Sequence, residues 1–430
     1  MWRNWTGDQR CAPSVHVHAA SLQDVVDAVQ RAATEGRTVR AVGAGHSFSD
    51  IALTDDQLVS LDGLDRVLDV DRDSGRVRVQ AGITIHALNG RLADAGLAMA
   101  NLGDVDRQSI AGAIATATHG TGSRLSNISS QVEALEVVSG DGSDPDALRA
   151  ARVGLGALGI VTAVTLRCIP EFTLAAVDAP VPLEEVLASL DERVETNDHF
   201  EFYFFPYAER ALTRTNNRVD EAPRPRSRAA AWVDQVLLAN HVFHAFCLAG
   251  RLVPSRIPAI NRGVTRLIGT TRRVDRSDEI FASPRLVRFT EMEYAVPRAR
   301  VVEAIRGVRE AIERHRFAVP FPVEVRFVAP DDAFLSTAHG RDTAYVAVHM
   351  FRGMEWEPYF RAVEQVMDGL EGRPHWGKRH FQTAETLRPR YPEWERFQAV
   401  RARLDPEGRF ANAYVDRVLG RLPAAVEAAP

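Results

Sequence analysis

The sequence is poor in cysteine and has no strong charge of either sign. Three cysteines, Cys11, Cys168 and Cys247, are scattered over 430 residues, which gives neither a disulfide framework nor a cysteine metal cluster. The formal net charge of -5 argues against a nucleic-acid partner, whereas a small anionic ligand needs only local positive charge. The polar start, MWRNWTGDQR, lacks the apolar core of a signal peptide. We therefore expect a reduced, cytoplasmic protein that binds no nucleic acid.

A long uninterrupted apolar run is also missing. The stretch 229–253 is apolar, but Asp234, Asn240, His241 and His244 interrupt it. It falls short of the roughly 18 continuous apolar residues of a spanning helix. We expect a helix packed in the core or between domains. Peripheral contact with a membrane, which would make the protein membrane-associated, and a true span are the alternatives.

The length predicts more than one domain, because roughly 100–200 residues per domain is typical. A strongly strand-like segment, GIVTAVTLRCIP, ends at Pro170, and we place the first domain boundary there. We expect a first domain over residues 1–170, a second over 171–400, and a C-terminal segment, 401–430, that returns to the first. From Phe289 onward strand and helix patterns alternate, which favours an antiparallel sheet covered by helices, an α+β arrangement.

Two glycine-containing segments point to a bound ligand. AVGAGHSFSD, residues 41–50, follows a short apolar strand, and Gly43 and Gly45 free its backbone amides to face an anion. SIAGAIATATHGTG, residues 109–122, holds almost no bulky side chain, so a ligand can approach its backbone closely. We predict that the two segments close on the same ligand. A tight contact between a helix and a sheet is the alternative for the second segment.

A literal G-x-G-x-x-G motif at 154–159 is a poor candidate for dinucleotide binding. Such a motif should follow a strand and open a helix. This one follows the helix-like DALRAARV and leads into a strand. We interpret it as a glycine-rich turn, and a nicotinamide dehydrogenase is the alternative that would depend on it.

Five segments together carry a resemblance to a known family. RAVGAGHSFSDIALTDD, NLGDVDRQSIAGAIATATHGTG, PFPVEVRFVAPDD, GRPHWGKRH and LDPEGRFANAYVDRVLG occur in this order. The sequence thereby resembles the aldonolactone oxidoreductases of the vanillyl-alcohol-oxidase flavoprotein superfamily. The resemblance implies an α+β, two-domain FAD-binding fold of the vanillyl-alcohol-oxidase (PCMH) type, with an antiparallel-sheet substrate cap domain. The segment after VEALEVVSGDGS is shorter than in the family, and we expect a trimmed surface turn there.

The resemblance also implies the cofactor and the residues that hold it. FAD would be bonded covalently through its 8α-methyl group to His46, whose ring must be unprotonated when it attacks. A histidine that only hydrogen-bonds phosphate or backbone is the alternative. No metal is implied. The residues implied to bind the cofactor are Val42, Gly43, Ala44, Gly45, His46, Ser47, Gly103, Ser109, Gly112, Thr116, His119, Gly120 and Ile160.

Four residues are candidates for the chemistry. Glu324 and Arg326 stand two apart in a strand-like segment and so face one side. Arg326 could offset charge gained by the flavin, and Glu324 could accept a hydroxyl proton; a surface salt bridge is the alternative. The resemblance adds Lys378, beside flavin and substrate, and His349, a base candidate near neutral pH. The sequence leaves open whether His349, Glu324 or Lys378 takes the proton.

The implied reaction is oxidation of the carbon-2 hydroxyl of a sugar 1,4-lactone, of the L-gulono, L-galactono or D-arabinono type, with hydride transfer to flavin N5. Gly103 is expected to leave O2 a path to the reduced flavin, which favours an oxidase that makes hydrogen peroxide. A lactone dehydrogenase would use another electron acceptor. The related alditol oxidases share three of the motifs, so a polyol such as xylitol or sorbitol is the alternative substrate. A flavin-binding module without catalysis is a further alternative.

Overall fold

The computed structural model describes residues 1–139 and 146–422. Within these ranges the chain forms nineteen β-strands and fifteen α-helices. The trimmed turn expected after VEALEVVSGDGS falls largely on residues 140–145, outside the described residues. Residues 423–430 of the C-terminal segment also lie outside them.

The N-terminal part contains two main sheets. Its elements are β1 (Trp2–Arg3), β2 (Arg10–Cys11), β3 (Val15–His18), α1 (Leu22–Thr34), β4 (Val39–Val42), β5 (Gln57–Ser60), β6 (Val67–Asp71), β7 (Arg76–Gln80), α2 (Ile85–Asp94), β8 (Leu97–Ala98), α3 (Ile110–Ala115), β9 (Val132–Val138), α4 (Ala147–Ala151), β10 (Ile160–Arg167) and β11 (Ile169–Pro170). A parallel sheet has the order β3-β5-β4, and an antiparallel sheet has the order β6-β7-β10-β9. Residues 154–159 connect α4 to β10, which confirms the glycine-rich turn.

Ser21 and Asp24 cap the first helix at its N-terminus. Ser21 Oγ accepts a hydrogen bond from the Asp24 amide, and the Asp24 carboxylate accepts from the Ser21 amide in return. This reciprocal capping satisfies amides that have no partner inside the helix. Val25, Ala28 and Ala32 bury the inner face of α1 against the parallel sheet.

The second part is built around one eight-stranded antiparallel sheet. Its elements are β12 (Thr173–Pro182), α5 (Leu183–Ala188), α6 (Leu190–Thr196), β13 (His199–Phe204), β14 (Arg210–Val219), α7 (Arg228–Ala231), a π-helical segment (Trp232–Val242), α8 (Phe243–Leu252), α9 (Ile257–Leu267), β15 (Thr271–Arg276), α10 (Ser277–Phe281), β16 (Phe289–Pro297), α11 (Val301–His315), β17 (Val323–Val328), β18 (Thr343–Phe351), α12 (Glu357–Asp368), β19 (Arg373–Pro374), α13 (Ala384–Leu387), α14 (Trp394–Leu404) and α15 (Ala413–Leu419). The strand order is β15-β12-β14-β13-β17-β18-β16-β19. Helices α11 and α12 cover one face, as the alternating pattern from residue 289 onward predicts.

Alternating residues divide this sheet into an apolar and a polar face. Phe202, Val325 and Val346 belong to the core beneath α11 and α12. Glu324 and Arg326 occupy the alternate positions of β17 and face the other way. We call that opposite side the polar face, and it carries the charged residues described below.

The C-terminal segment lies against the N-terminal part. Asn412 Nδ2 donates to the backbone oxygens of Ile51 at 3.1 Å and of Leu53 at 2.8 Å. The Val39 amide donates to the Arg409 oxygen at 2.9 Å. These bonds hold the segment beside the parallel sheet, whereas the domain limits at 170 and 400 stay predictions.

The apolar stretch 229–253 lies in a helical arm, residues 228–267, on the surface of the protein. Trp232 and Leu238 each expose 52% of their surface and Leu252 exposes 78%, so the expected packing in the core or between domains is wrong for most of the stretch. Cys247 on the inner side is buried. Among the described residues no single helix suffices to cross a membrane; 228–252 and 254–267 meet the length and composition test only as a pair bent by 120°.

Candidate active site

A cavity of about 1080 Å³, its open mouth included, lies between residues 41–50, α3 and the turn 154–159. Of the described residues that line it, only Arg40 is charged, and no carboxylate is among them. Arg40 donates to the backbone oxygens of Ile51 at 2.6 Å and of Leu155 at 2.9 Å, so it ties the cavity walls together. Small side chains and the lack of carboxylates suit an elongated anionic cofactor.

Close contact between the two glycine-containing segments shapes this cavity. A Cβ at position 43 would lie 1.9 Å from Ser109 Oγ, which leaves no room for any side chain larger than that of glycine. Ser109 Oγ in turn accepts from the Gly112 amide at 3.3 Å and caps α3. Both segments line one cavity, as the sequence predicts.

Most of the residues predicted to bind the cofactor lie in this wall. Those that line the cavity are Val42, Gly43, Ala44, Gly45, His46, Ser47, Ser109, Gly112 and Thr116. Gly103, His119, Gly120 and Ile160 do not line it. Ile160 packs in the core beside Val39. Its neighbour Val161 lines the cavity instead, because successive strand residues face opposite sides.

Gly103, His119 and Gly120 form a second tight contact beside α3. A Cβ at position 103 would lie 2.9 Å from the His119 oxygen, and a Cβ at position 120 would lie 2.2 Å from the Leu102 oxygen. Gly103 does not adopt a positive φ. Close approach of two backbones, and not backbone conformation, therefore explains the glycine at position 103.

His46 is held in the wall of the cavity as a neutral imidazole. Its ring stacks on Trp5 with centroids 5.7 Å apart and planes 24° apart. Burial, and next the positive charge of Lys378, lower the pKa of His46 to about 4. The ring is therefore unprotonated at neutral pH, which is the form that a nucleophilic nitrogen requires.

The His-Trp-Gly-Lys motif joins the cavity to the polar face. The Phe48 amide donates to the Gly377 oxygen at 2.7 Å, and Ser49 Oγ donates to the Trp376 oxygen at 3.0 Å. Lys378 Nζ lies 5.1 Å from the centroid of the Phe48 ring. The loop after β19 thus places the Lys378 ammonium next to residues 41–50, which we call the histidine loop.

Glu291 connects two of the predicted catalytic residues. Its Oε2 accepts from Lys378 Nζ, and its Oε1 lies 3.6 Å from His349 Nε2. Burial disfavours the charged form of all three groups. The charges of Lys378 and His349 nevertheless lower the pKa of Glu291, and the charge of Glu291 raises the pKa of both partners. His349 Nδ1 is 3.1 Å from the Pro322 oxygen, so the Nε2 atom is the one that faces Glu291 on the polar face.

Glu324 and Arg326 form the other charged group on the polar face. Arg326 Nη2 pairs with Glu324, and Arg326 Nε donates to Glu201 at 2.9 Å. Asp104 Oδ1 lies 3.6 Å from Arg326 and Asp104 Oδ2 pairs with Arg285. Burial raises the pKa of Glu324 to about 7, although Arg326 opposes the shift. A carboxyl with this pKa can exchange a proton near neutral pH.

His119, Glu293 and His375 are the only described residues whose ligand atoms cluster closely enough for a metal. His375 Nδ1 accepts from the Gly377 amide at 3.1 Å, and burial lowers the pKa of His375 to about 3. The proton of this neutral ring is therefore on Nε2, and no lone pair remains for a metal. His119 Nδ1 and Nε2 lie 2.9 Å from the Gly120 oxygen and 3.2 Å from Glu293. His119 and Glu293 therefore form a hydrogen-bonded pair, and the His375 ring bonds to its own loop.

The acidic residues of the polar face, other than Glu324, were not predicted from the sequence. Glu291 and Glu293 alternate with apolar residues in TEMEY, and Glu201 does so in FEFYF. A carboxylate in an otherwise apolar strand needs a buried partner, and this period of two is the signal that could have revealed them. The turn 154–159 also lines the cavity. It has no such signal, because the residues that it packs against are distant in sequence.

Two protein-family models match the chain. The FAD binding domain model matches residues 13–143, and the D-arabinono-1,4-lactone oxidase model matches residues 164–418. L-gulono-1,4-lactone dehydrogenase of Mycobacterium tuberculosis is 51% identical over 98% of this chain and 99% of its own. L-gulonolactone oxidase of Bos taurus is 32% identical over 97% and 98%. Alditol oxidase of Streptomyces sp. is 33% identical over 97% and 98%.

Solved structures show the same fold. Cholesterol oxidase from Brevibacterium sterolicum matches with a TM-score of 0.81 over 97% of this chain and 96% of its own, at 18% sequence identity. At this identity the likeness concerns the fold alone. Together with the FAD binding domain match, it confirms the predicted α+β FAD-binding fold and FAD as the cofactor.

Proposed function

The chain belongs to the D-arabinono-1,4-lactone oxidase family of FAD-dependent oxidoreductases, and we propose that it oxidises the carbon-2 hydroxyl of a sugar 1,4-lactone to a ketone. FAD-linked oxidation of sugar lactones agrees with the names of its relatives. The observation that supports the assignment is the pairing of Glu324 with Arg326, and of Lys378 with Glu291, on one polar face. The Lys378 loop joins that face to the cofactor cavity.

Glu324 is the proposed proton acceptor. Bound FAD supplies the acceptor for the hydride that leaves the carbinol carbon. Glu324 takes the hydroxyl proton on a carboxylate oxygen, and its pKa of about 7 suits this role at neutral pH. Arg326 keeps that carboxylate oriented, and Glu201 holds the other side of the guanidinium at 2.9 Å.

Lys378 is proposed to stabilise negative charge, and His349 is proposed to orient the substrate. Glu291 and Glu293 outweigh the burial of Lys378 and raise its pKa, so it stays an ammonium and is a poor base. Its fixed charge beside the cavity stabilises negative charge that arrives there during oxidation. His349 Nε2 lies 3.6 Å from the other carboxylate oxygen of Glu291. From this position it orients a substrate hydroxyl.

The substrate test compares lactones with polyols. Purified yellow protein is mixed under anaerobic conditions with L-gulono-, L-galactono- and D-arabinono-1,4-lactone, and separately with xylitol and sorbitol, while flavin bleaching is followed. Bleaching by lactones supports the proposal. Bleaching by polyols alone would assign the second candidate, an alditol oxidase, which the Streptomyces relative favours.

The proposed link between FAD and His46 is covalent. His46 would hold the cofactor by supplying an unprotonated imidazole nitrogen for a bond to the 8α-methyl group of FAD. The low pKa of His46 supports this bond. Acid precipitation of the wild type should leave yellow protein, and His46→Ala should release all flavin. Release from the wild type, or retention by the variant, contradicts the bond.

Two electron acceptors are candidates. The name of the Bos taurus relative, an oxidase at 32% identity, favours O2, whereas the contact of Gly103 with the His119 backbone explains that glycine by packing. The name of the Mycobacterium tuberculosis relative, a dehydrogenase at 51% identity, favours another acceptor. We propose O2 and test it by oxygen uptake and peroxide formation with the lactone that bleaches the flavin. Bleaching without reoxidation by air would assign a dehydrogenase.

A further inference from the structure

We propose that the helical arm, residues 228–267, docks on an anionic lipid bilayer. No residue of the arm has a role in the proposed reaction. It combines exposed apolar side chains with arginines, and both are needed for stable seating at a membrane surface. The inference does not depend on the identity of the sugar substrate.

The apolar part of the arm is presented outward. Trp232, Val233, Leu238 and Val242 lie along the π-helical segment with 37–52% of their surfaces exposed. Leu252 and Val253, at the corner between α8 and α9, are exposed by 78% and 48%. Side chains of this kind are the ones that enter the boundary between headgroups and acyl chains.

The charge of the arm is opposite to that of the whole chain. The arm, residues 228–267, contains five arginines and one acidic residue, Asp234, within a chain of net charge -5. Asp234 is already paired with Arg226. In the described part of the chain, no carboxylate lies within ion-pair distance of these five arginines, which are Arg228, Arg251, Arg256, Arg262 and Arg266.

The orientation of the arm is fixed by its inner contacts. Asn261 Nδ2 donates to the oxygens of Pro206 and Val319, each at 3.0 Å, which holds one side of α9 against the protein. Arg262 and Arg266, one turn apart, are exposed. The outer face therefore keeps its charge without any rearrangement.

The corner of the arm distinguishes a bilayer from an acidic protein partner. Arg251 and Arg256 flank the exposed pair Leu252 and Val253. A protruding apolar tip between two arginines can enter the lipid while the guanidinium groups stay at the phosphates. A flat acidic protein surface would leave this tip exposed.

The arm lies close to the candidate site. Phe243 of α8 packs edge-on against Phe321 at 4.8 Å, and Phe321 lies 5.9 Å from the ring of His349. One aromatic layer thus separates the proposed membrane surface from a residue of the polar face. Docking would place the site next to the bilayer.

Vesicle sedimentation of the flavin-loaded, full-length protein tests the proposal. Vesicles of phosphatidylcholine are compared with vesicles of equal parts phosphatidylcholine and phosphatidylglycerol, at low and high salt. We expect binding to the anionic vesicles only, and its weakening by salt. Each arginine near the surface contributes about fivefold to partitioning. Replacing Arg228, Arg256, Arg262 and Arg266 by glutamine should therefore weaken binding more than about 100-fold.

A charge-matched control separates this surface from net charge. Glutamine at Arg31, Arg66, Arg72 and Arg91, all exposed in the N-terminal part, should leave vesicle binding intact. Leu252→Ser with Val253→Ser should weaken binding at unchanged charge. Flavin absorbance and lactone bleaching verify that each variant is folded.

Three outcomes would overturn the proposal. The first is no binding to anionic vesicles, including the case in which the protein is retained by immobilised polyglutamate, as an acidic protein partner predicts. The second is equal loss of binding in the two glutamine variants. The third is sedimentation without vesicles that the serine variant abolishes, since this assigns the arm to contact with a second copy of the chain.

Discussion

The cofactor cavity and the polar face of the eight-stranded sheet are built in opposite ways. The cavity is formed by short segments with small side chains, and Gly43 touches Ser109 so closely that a Cβ would be 1.9 Å from the hydroxyl. The polar face is formed by long charged side chains from β13, β16, β17 and β18, each with a partner. Arg326 alone contacts Glu201, Glu324 and Asp104.

The difference teaches what each region tolerates. The cavity depends on the small size of the side chains in its wall. Adding one methyl group to that wall should therefore damage the cavity, whereas removing a charge from the polar face should not. The polar face depends on balanced charge, because a buried ion left without its partner costs far more than an exposed one. Variants can therefore be chosen that affect one region and spare the other.

Glu324→Gln should have the largest effect. Glutamine keeps the shape and a bond to Arg326 but cannot take the hydroxyl proton, so anaerobic flavin bleaching by the lactone should slow by about 10²–10⁴-fold. Flavin content should stay at the wild-type value, since Glu324 does not line the cavity. Glu357→Gln, at an exposed ion pair with Arg361, is the control. A bleaching rate within a few-fold of wild type would remove Glu324 from the chemistry.

Gly43→Ala should damage the cavity and leave the charged network alone. Crowding of this kind costs about 1–3 kcal/mol, so the purified variant should carry less flavin and unfold at a lower temperature. Gly90→Ala is the matched control, because no atom lies within 4 Å of a Cβ placed there. That helical change should stabilise by about 0.5–1 kcal/mol. Full flavin content in Gly43→Ala would show that the cavity wall accommodates the added methyl group. That result would contradict the difference drawn between the cavity and the polar face.

The same difference explains what could be predicted from the sequence. Residues 41–50 are contiguous, and together with residues 109–122 and the family resemblance they predicted a cavity wall that contains His46. Glu324 and Arg326 are neighbours on one strand, and period-two alternation predicted their shared face. Glu291 is bonded to Lys378 across 87 residues, and no local pattern reports such a pair.

The helical arm was predicted incorrectly for a related reason. Apolar content between 229 and 253 favours burial, yet burial also needs a layer to pack against. The inner side of α8 finds one around Cys247 and Phe321, while Trp232 and Leu238 extend past the edge of that small core. Hydrophobicity predicts that a residue can be buried, and only tertiary structure decides whether it is.

Glu291→Gln should have a smaller effect that appears in the pH profile. Glu291 raises the pKa of Lys378 against the effect of burial, and the proposed role of Lys378 needs the ammonium. Activity that requires the Lys378 ammonium is present below the pKa of Lys378 and is lost as the pH rises through that pKa. Removing the carboxylate lowers that pKa, so the basic limb of kcat/KM should move to lower pH. Glu303→Gln, at an exposed pair with Arg300, should not move it. Equal loss of activity at every pH would mean that Glu291 only supports the fold, and a basic limb that moves upward would contradict the charge assigned to Lys378.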